Sequence, residues 1–210
     1  MTKPEPISDG MRGLAAADPA KRNRSAQTLF SEGLARTTNW LAEWMDNPDF
    51  HTLVVQDPFV TPDGKKGATP RITLGMALQP EAFEQIRAAN GSPPMADAPS
   101  DQDVLEFELE FHRDALPPLR LDILTTSAPH GGGAIARFLE KFGEGIQQIE
   151  IEVTDVDRAT QILRGKFSIE SIFSATRSGA NGTRVNFFLV PAHDGKKVLV
   201  ELVEQPKTAH

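Results

Sequence analysis

The stretch Gly143-Glu144-Gly145-Ile146-Gln147-Gln148-Ile149-Glu150-Ile151-Glu152-Val153 reads as a β-strand with two unlike faces. From Gln148 onward polar and apolar residues alternate. Ile149, Ile151 and Val153 therefore fall on one side and Gln148, Glu150 and Glu152 on the other, the period-two pattern of a half-buried strand. Thr154 and Asp155 then supply a helix start, and Val156, Ala159, Ile162 and Leu163 recur as an apolar stripe, which predicts a helix ending at Leu163. Three more strand-like runs follow, at residues 167–175, 184–190 and 197–204. The C-terminal part of the chain is thus ordered β-α-β-β-β.

The chain has 210 residues, enough for one domain of ordinary size or two small modules with a real core. Its 22 Lys and Arg against 29 Asp and Glu give a net charge of −7, which argues against a nucleic-acid surface, because phosphate neutralisation needs clustered cations. The absence of Cys excludes disulfides, thiolate metal centres and Cys nucleophiles and suits a reducing interior. No apolar run approaches a membrane span, and residues 1–21 lack the apolar core of a signal peptide. These features point to a soluble, cytoplasmic protein without a membrane partner.

Upstream of the decisive strand the pattern is less regular. Residues 1–23 carry Pro, Gly, Asp and Ala without a sustained period and read as a mobile arm or a loosely docked tail. Between Ser25 and Asn47 the apolar residues Leu29, Phe30, Leu34, Trp40, Leu41, Trp44 and Met45 recur at helical spacing, and Asn47-Pro48 ends the run. Both Trp lie on this helix, so its apolar face needs a cover: the sheet's outer face first, a dimer partner second. Residues 50–60 read as a strand that ends in the turn Thr61-Pro62-Asp63-Gly64. Residues 71–78 form the next strand and residues 80–89 a helix with Pro in its first turn. A loop occupies residues 90–102. In residues 104–111 Leu105, Phe107, Leu109 and Phe111 alternate with Glu106, Glu108 and Glu110, and residues 119–124 pair back as a strand.

The run from Gly143 to Val153, with Gly179-Ala180-Asn181-Gly182, Arg184-Val185-Asn186-Phe187, Pro191 and Val198-Leu199-Val200-Glu201-Leu202-Val203-Glu204, resembles the C-terminal module of the vicinal oxygen chelate superfamily, nearest to its methylmalonyl-CoA epimerase branch. Residues 134–141 resemble that family's linker between modules. The likeness runs from about residue 119 to 204, weakens upstream, and vanishes before about residue 70. It implies an α+β fold of paired βαβββ-like modules whose mixed sheet curls around a cup. The expected divisions are residues 1–70, an arm, helix and extension; 71–133, a remodelled first module; and 134–210, the linker helix and second module.

The resemblance also assigns residues. Family members place metal ligands on strands of both modules, and the corresponding positions here are Asp122, Gln148 and Glu201. The first-strand His position falls on Thr73 or Leu74, and the usual paired His on Gln147 and Gln148. None of the 5 His (His51, His112, His130, His193, His210) stands at a ligand position. Imidazole binds zinc or iron strongly, whereas these oxygen donors suit harder cations. The open cofactor alternatives are a divalent metal, magnesium, manganese or cobalt, and no metal. A base is expected at Glu106 or Glu108, with Glu201 as the second acid-base group. The implied activity is α-proton transfer on an acyl thioester or a similar substrate with vicinal oxygens, an epimerase-type isomerisation. Two other readings stay open: a non-catalytic binder of a small molecule on the same fold, and a homodimeric interaction module using Trp40 and Trp44.

Overall fold

A computed structural model of the chain describes residues 6–100, 102–113, 116–129, 131–192 and 197–207. The helices are α1 Pro6–Leu14, α2 Pro19–Ala35, α3 Thr38–Asp46, α4 Pro48–His51, α5 Pro80–Ala89, α6 Ala134–Phe142 and α7 Val156–Phe167. The strands are β1 Gln56–Val60, β2 Lys66–Pro70, β3 Ile72–Ala77, β4 Leu105–Arg113, β5 Leu116–Thr125, β6 Gly145–Glu152, β7 Arg177–Ser178, β8 Arg184–Pro191 and β9 Lys197–Glu204. Two compact units are formed. One comprises Met1–Gly33, Leu74–Asp114 and Pro118–Gln147, the other Leu34–Thr73, Ala115–Pro117 and Gln148–His210. Among the described residues no helix is long and apolar enough to cross a membrane.

In the first unit the strand order is β4-β5-β3. Strand β3 is buried along its whole length. Helix α5 lays Phe83 and Ile86 into the core, where the Phe83 ring meets Phe107 of β4 at 4.8 Å between centroids. Ala77, Leu124, Ile135 and Leu139 form a second cluster under α6. Where a mobile arm or a loosely docked tail was expected, the described residues form the helix α1 and the start of α2. Asp18 Oδ1 accepts the Ala20 N–H at 3.0 Å and Pro19 opens α2, a capped start that residue composition hides. Met11 and Leu14 of α1 are buried. A Cβ added at Gly13 would clash with the Ser25 side chain, and one at Gly10 would press on Leu29, so these two glycines let α1 lie close against α2. They lower helix propensity and permit the packing that replaces it.

The second unit carries the order β6-β9-β8-β7, with β6 parallel to β9 and the other pairs antiparallel. The single helix expected over residues 25–47 is broken: α2 ends at Ala35, and Thr37 returns both its N–H and its hydroxyl to the Leu34 carbonyl before α3 begins. Trp44 is buried against Trp40, Phe50 and Phe167, with centroids 4.5, 5.6 and 6.3 Å away. The expected strand over residues 50–60 begins only at Gln56, because Asn47 Oδ1 caps the short helix α4 through the Phe50 N–H. Strands β1 and β2 form a hairpin from Gln56↔Pro70 to Val60↔Lys66. Arg71, at its base, donates to Asp57 at 2.8 Å and to Glu152 of β6 at 3.1 Å.

Helix α7 is capped by Asp155, which accepts from the Arg158 N–H at 2.9 Å, and it runs one turn past the expected end to Phe167. Of the strand expected at residues 167–175, only Ser171 bridges to Phe188. Glu204, on the α7 side of β9, accepts the buried Val156 N–H at 3.0 Å and pairs with Arg184 at 2.9 Å. Glu204→Ala is expected to lower stability by about 1–3 kcal/mol, since it leaves a donor at a helix start without a partner. Urea denaturation measures this, and an unchanged midpoint would show that the cap is dispensable.

The two units repeat a theme. The first runs β3-α5-β4-β5 and the second β6-α7-β7-β8-β9, so among the described residues the first has no counterpart of β7. Equivalent backbone hydrogen bonds fix the correspondence: Leu78 N–H to Leu124 O at 2.9 Å in one unit, Val153 N–H to Val203 O at 2.8 Å in the other. Counting back along each strand makes Asp122 the counterpart of Glu201, and Thr73 the counterpart of Gln148.

Candidate functional site

The polar face of the second unit follows from strand register. Glu150 of β6 stands directly opposite Glu201 of β9, and Phe187 of β8 stands opposite Glu201 on its other side. Ile149, Ile151, Val200 and Leu202 occupy the alternate positions and are fully buried on the α7 side. Two carboxylates facing each other across a ladder repel. Gln148 lies between them: its Nε2 donates to Glu201 Oε2 at 2.7 Å and to Glu150 Oε1 at 3.0 Å. Gln148 and Glu201 are each only 8% exposed, so this amide-carboxylate contact sits where charge-assisted hydrogen bonds are strong.

The first unit holds the other candidates. Glu106 and Glu108 share one face of β4, alternating with buried Phe107, Leu109 and Phe111. Glu106 is half-buried and Glu108 exposed. Burial, and to a lesser degree the charge of Glu108, pushes the Glu106 carboxyl up to about 7. Glu110, the third acid of the strand, is exposed and paired with Arg120 at 3.3 Å. Asp122 lies on β5 between Leu121 and Ile123 and is buried. Of the residues singled out from sequence, Gln148 meets Glu201 in the second unit, Glu106 neighbours Glu108 in the first, and Asp122 belongs to the first. Glu150 was missed as a partner of Glu201: alternation put it on the polar face, but its opposition depends on the parallel pairing of β6 with β9.

The donor set can be tested against a metal. Among the described residues no three His, Cys, Asp or Glu gather as a metal-holding group. Gln148 turns its amide nitrogen, which has no lone pair for a metal, toward both carboxylates. His51 and His112 lie on α4 and β4, while His130, His193 and His210 fall outside the described residues. This arrangement does not fit a metal centre.

Comparison with solved structures decides the fold. The methylmalonyl-CoA epimerase of Mycobacterium tuberculosis matches with a TM-score of 0.50 and 28% identity, over 64% of this chain and 87% of that one. The chain has the vicinal oxygen chelate fold. Two Streptomyces coelicolor methylmalonyl-CoA epimerase variants in complex with 2-nitronate-propionyl-CoA extend the vicinal oxygen chelate match. A glutamine-to-alanine variant reaches a TM-score of 0.53 at 26% identity, over 65% of this chain and 97% of that one. A serine-to-threonine variant reaches 0.54 at 25% identity, over 67% and 98%. No protein-family model and no curated protein matches the chain. In this chain Thr73 and Gln148 stand at the positions where the resemblance expects imidazole.

Proposed function

We propose that the chain is an epimerase-like isomerase that moves a proton at the α-carbon of an acyl thioester, with Glu106 as the proton-carrying group. The observation that carries this reading is the half-buried Glu106 carboxyl with its pKa raised to about 7, the range in which one group both takes and returns a proton at neutral pH. The likeness to methylmalonyl-CoA epimerases supports the substrate class. Glu106 breaks the α C–H bond as a base, and the bonding electrons pass into the thioester carbonyl as an enolate. Return of a proton to the opposite face gives the epimer. The resemblance names Glu201 as a second acid-base group, and in the second unit the Gln148 N–H groups hold its carboxylate in place. Glu108 raises the basicity of Glu106 through its charge.

The proton transfer rests on these side chains alone. Incubation with methylmalonyl-CoA in deuterium oxide, followed by mass spectrometry, is expected to add one α-deuterium in the presence of EDTA. Parallel samples with magnesium, manganese or cobalt test the metal-assisted alternative. Exchange that needs one of these cations would establish that alternative. No exchange in any sample, with the thioester still bound, would leave the non-catalytic binder of the same fold.

A further inference from the structure

The face that carries Gln148 and Glu201 continues, within the second unit, into an aromatic surface that the proton transfer does not use. Phe187 stands directly opposite Glu201. Its ring meets Phe173 edge-on, with centroids 6.0 Å apart and planes at 76°. The Arg177 guanidinium lies over the far ring, 4.6 Å from the Phe173 centroid. Arg177 pairs with Val185 of β8, and Val185 with Val203 of β9, so strand alternation puts Arg177 on the face of Glu201. Phe173, Arg177 and Phe187 are half-buried, and Ile172 and Leu189 beside them are exposed, so solvent reaches the surface.

These groups form a graded series: polar at Glu201, aromatic in the middle, cationic at the end. A guanidinium over a ring face still has N–H groups for oxygens, and its fork matches carboxylate and phosphate. Arg177 has a further interaction in the chain as it stands, which a ligand oxyanion would displace. The backbones of β7 and β9 are two strand spacings, about 10 Å, apart.

We propose that this surface binds an extended anionic acyl compound, its reacting end at Gln148 and Glu201, its apolar body on Phe187 and Phe173, and its oxyanion on Arg177. The identity of the reacting end rests on the acyl-thioester reading; the oxyanion contact does not. The oxyanion is a phosphate of the acyl carrier, since a carboxylate on the reacting carbon stays at the reacting end.

The test compares wild type with Arg177→Gln, Arg177→Lys and Phe173→Leu. Calorimetry with methylmalonyl-CoA and with coenzyme A is read beside KM and kcat for deuterium exchange with methylmalonyl-CoA and with the N-acetylcysteamine thioester, which lacks phosphate. Arg177→Gln is expected to weaken binding of methylmalonyl-CoA at least tenfold, raising KM with little change in kcat. Arg177→Lys is expected to recover part of the loss, and Phe173→Leu to lose part of the binding by freeing the guanidinium. A penalty confined to the coenzyme A compounds assigns the oxyanion to phosphate; an equal penalty with the truncated thioester, whose carboxylate sits on the reacting carbon, would overturn the placement of the oxyanion at the far end of the surface. Unchanged binding and KM in Arg177→Gln, with wild-type exchange present, would overturn this proposal and leave the proton-transfer reading intact. Lost binding in Arg177→Gln with no exchange in wild type would uphold the anion contact and overturn the proton-transfer reading.

Discussion

Glu106→Gln is expected to lower the rate of α-deuterium exchange by roughly 100- to 10,000-fold, the range for loss of a positioned acid-base group, while the protein stays folded. The amide keeps the volume and polarity of the carboxyl and removes only its basicity. In wild type the base form appears as pH rises through about 7, so exchange is expected to climb to a plateau above that value. Burial is the larger cause of the raised pKa and Glu108 the smaller. Glu108→Gln should therefore move the rising limb to lower pH without abolishing it. Stability supplies a second readout. The folded pKa lies above the ordinary value of 4.5, so the favourable contribution of protonated Glu106 is present at acid pH and is lost as pH rises through about 7. Glu106→Gln removes that loss, and the variant should be less sensitive to pH between 5 and 8 than wild type in urea titrations. Exchange within twofold of wild type would sink the assignment of Glu106.

The regular parts of the fold were legible because they obey one local rule each. Alternation located β4 and β6, strand-like runs located β8 and β9, and Pro80 at a first helical turn located α5. The misses share a physical origin in contacts that no local period encodes. Gly10 and Gly13 argue against a helix until the neighbouring α2 gives them a packing role. Thr37 breaks an otherwise continuous stripe by bonding to its own preceding turn. Residues 167–175 have strand composition, yet Phe167 completes α7 and turns its ring to Trp44. Legibility of the site followed the same division. Gln148 and Glu201 could be named through a resemblance in their strands, but the bridge from Gln148 to Glu150 and the stack of Arg177 on Phe173 arise from register and loop path.

Trp44→Ala is expected to destabilise the protein by about 3–5 kcal/mol, the cost of emptying a large aromatic site in a core. Trp44 is 1% exposed and touches the rings of Trp40, Phe50 and Phe167, contributed by three different helices of the second unit. Loss of its ring removes the common partner of all three. A domain whose whole stability is about 5–15 kcal/mol tolerates this poorly, so the change should appear as a large drop in the urea midpoint. Trp40→Phe tests the neighbouring ring in the opposite sense. Trp40 is also buried, but its indole N–H has no hydrogen-bond partner among the described residues, so exchanging it for a ring without a donor is expected to cost far less than Trp44→Ala. The pair also separates a core from a partner surface. If α3 offered its Trp residues to a second copy of the chain, Trp44→Ala would change the solution mass and leave unfolding nearly unaltered. Burial of both rings within the chain instead predicts an unchanged mass and a lowered midpoint, and the reverse result would return α3 to the role of an interface.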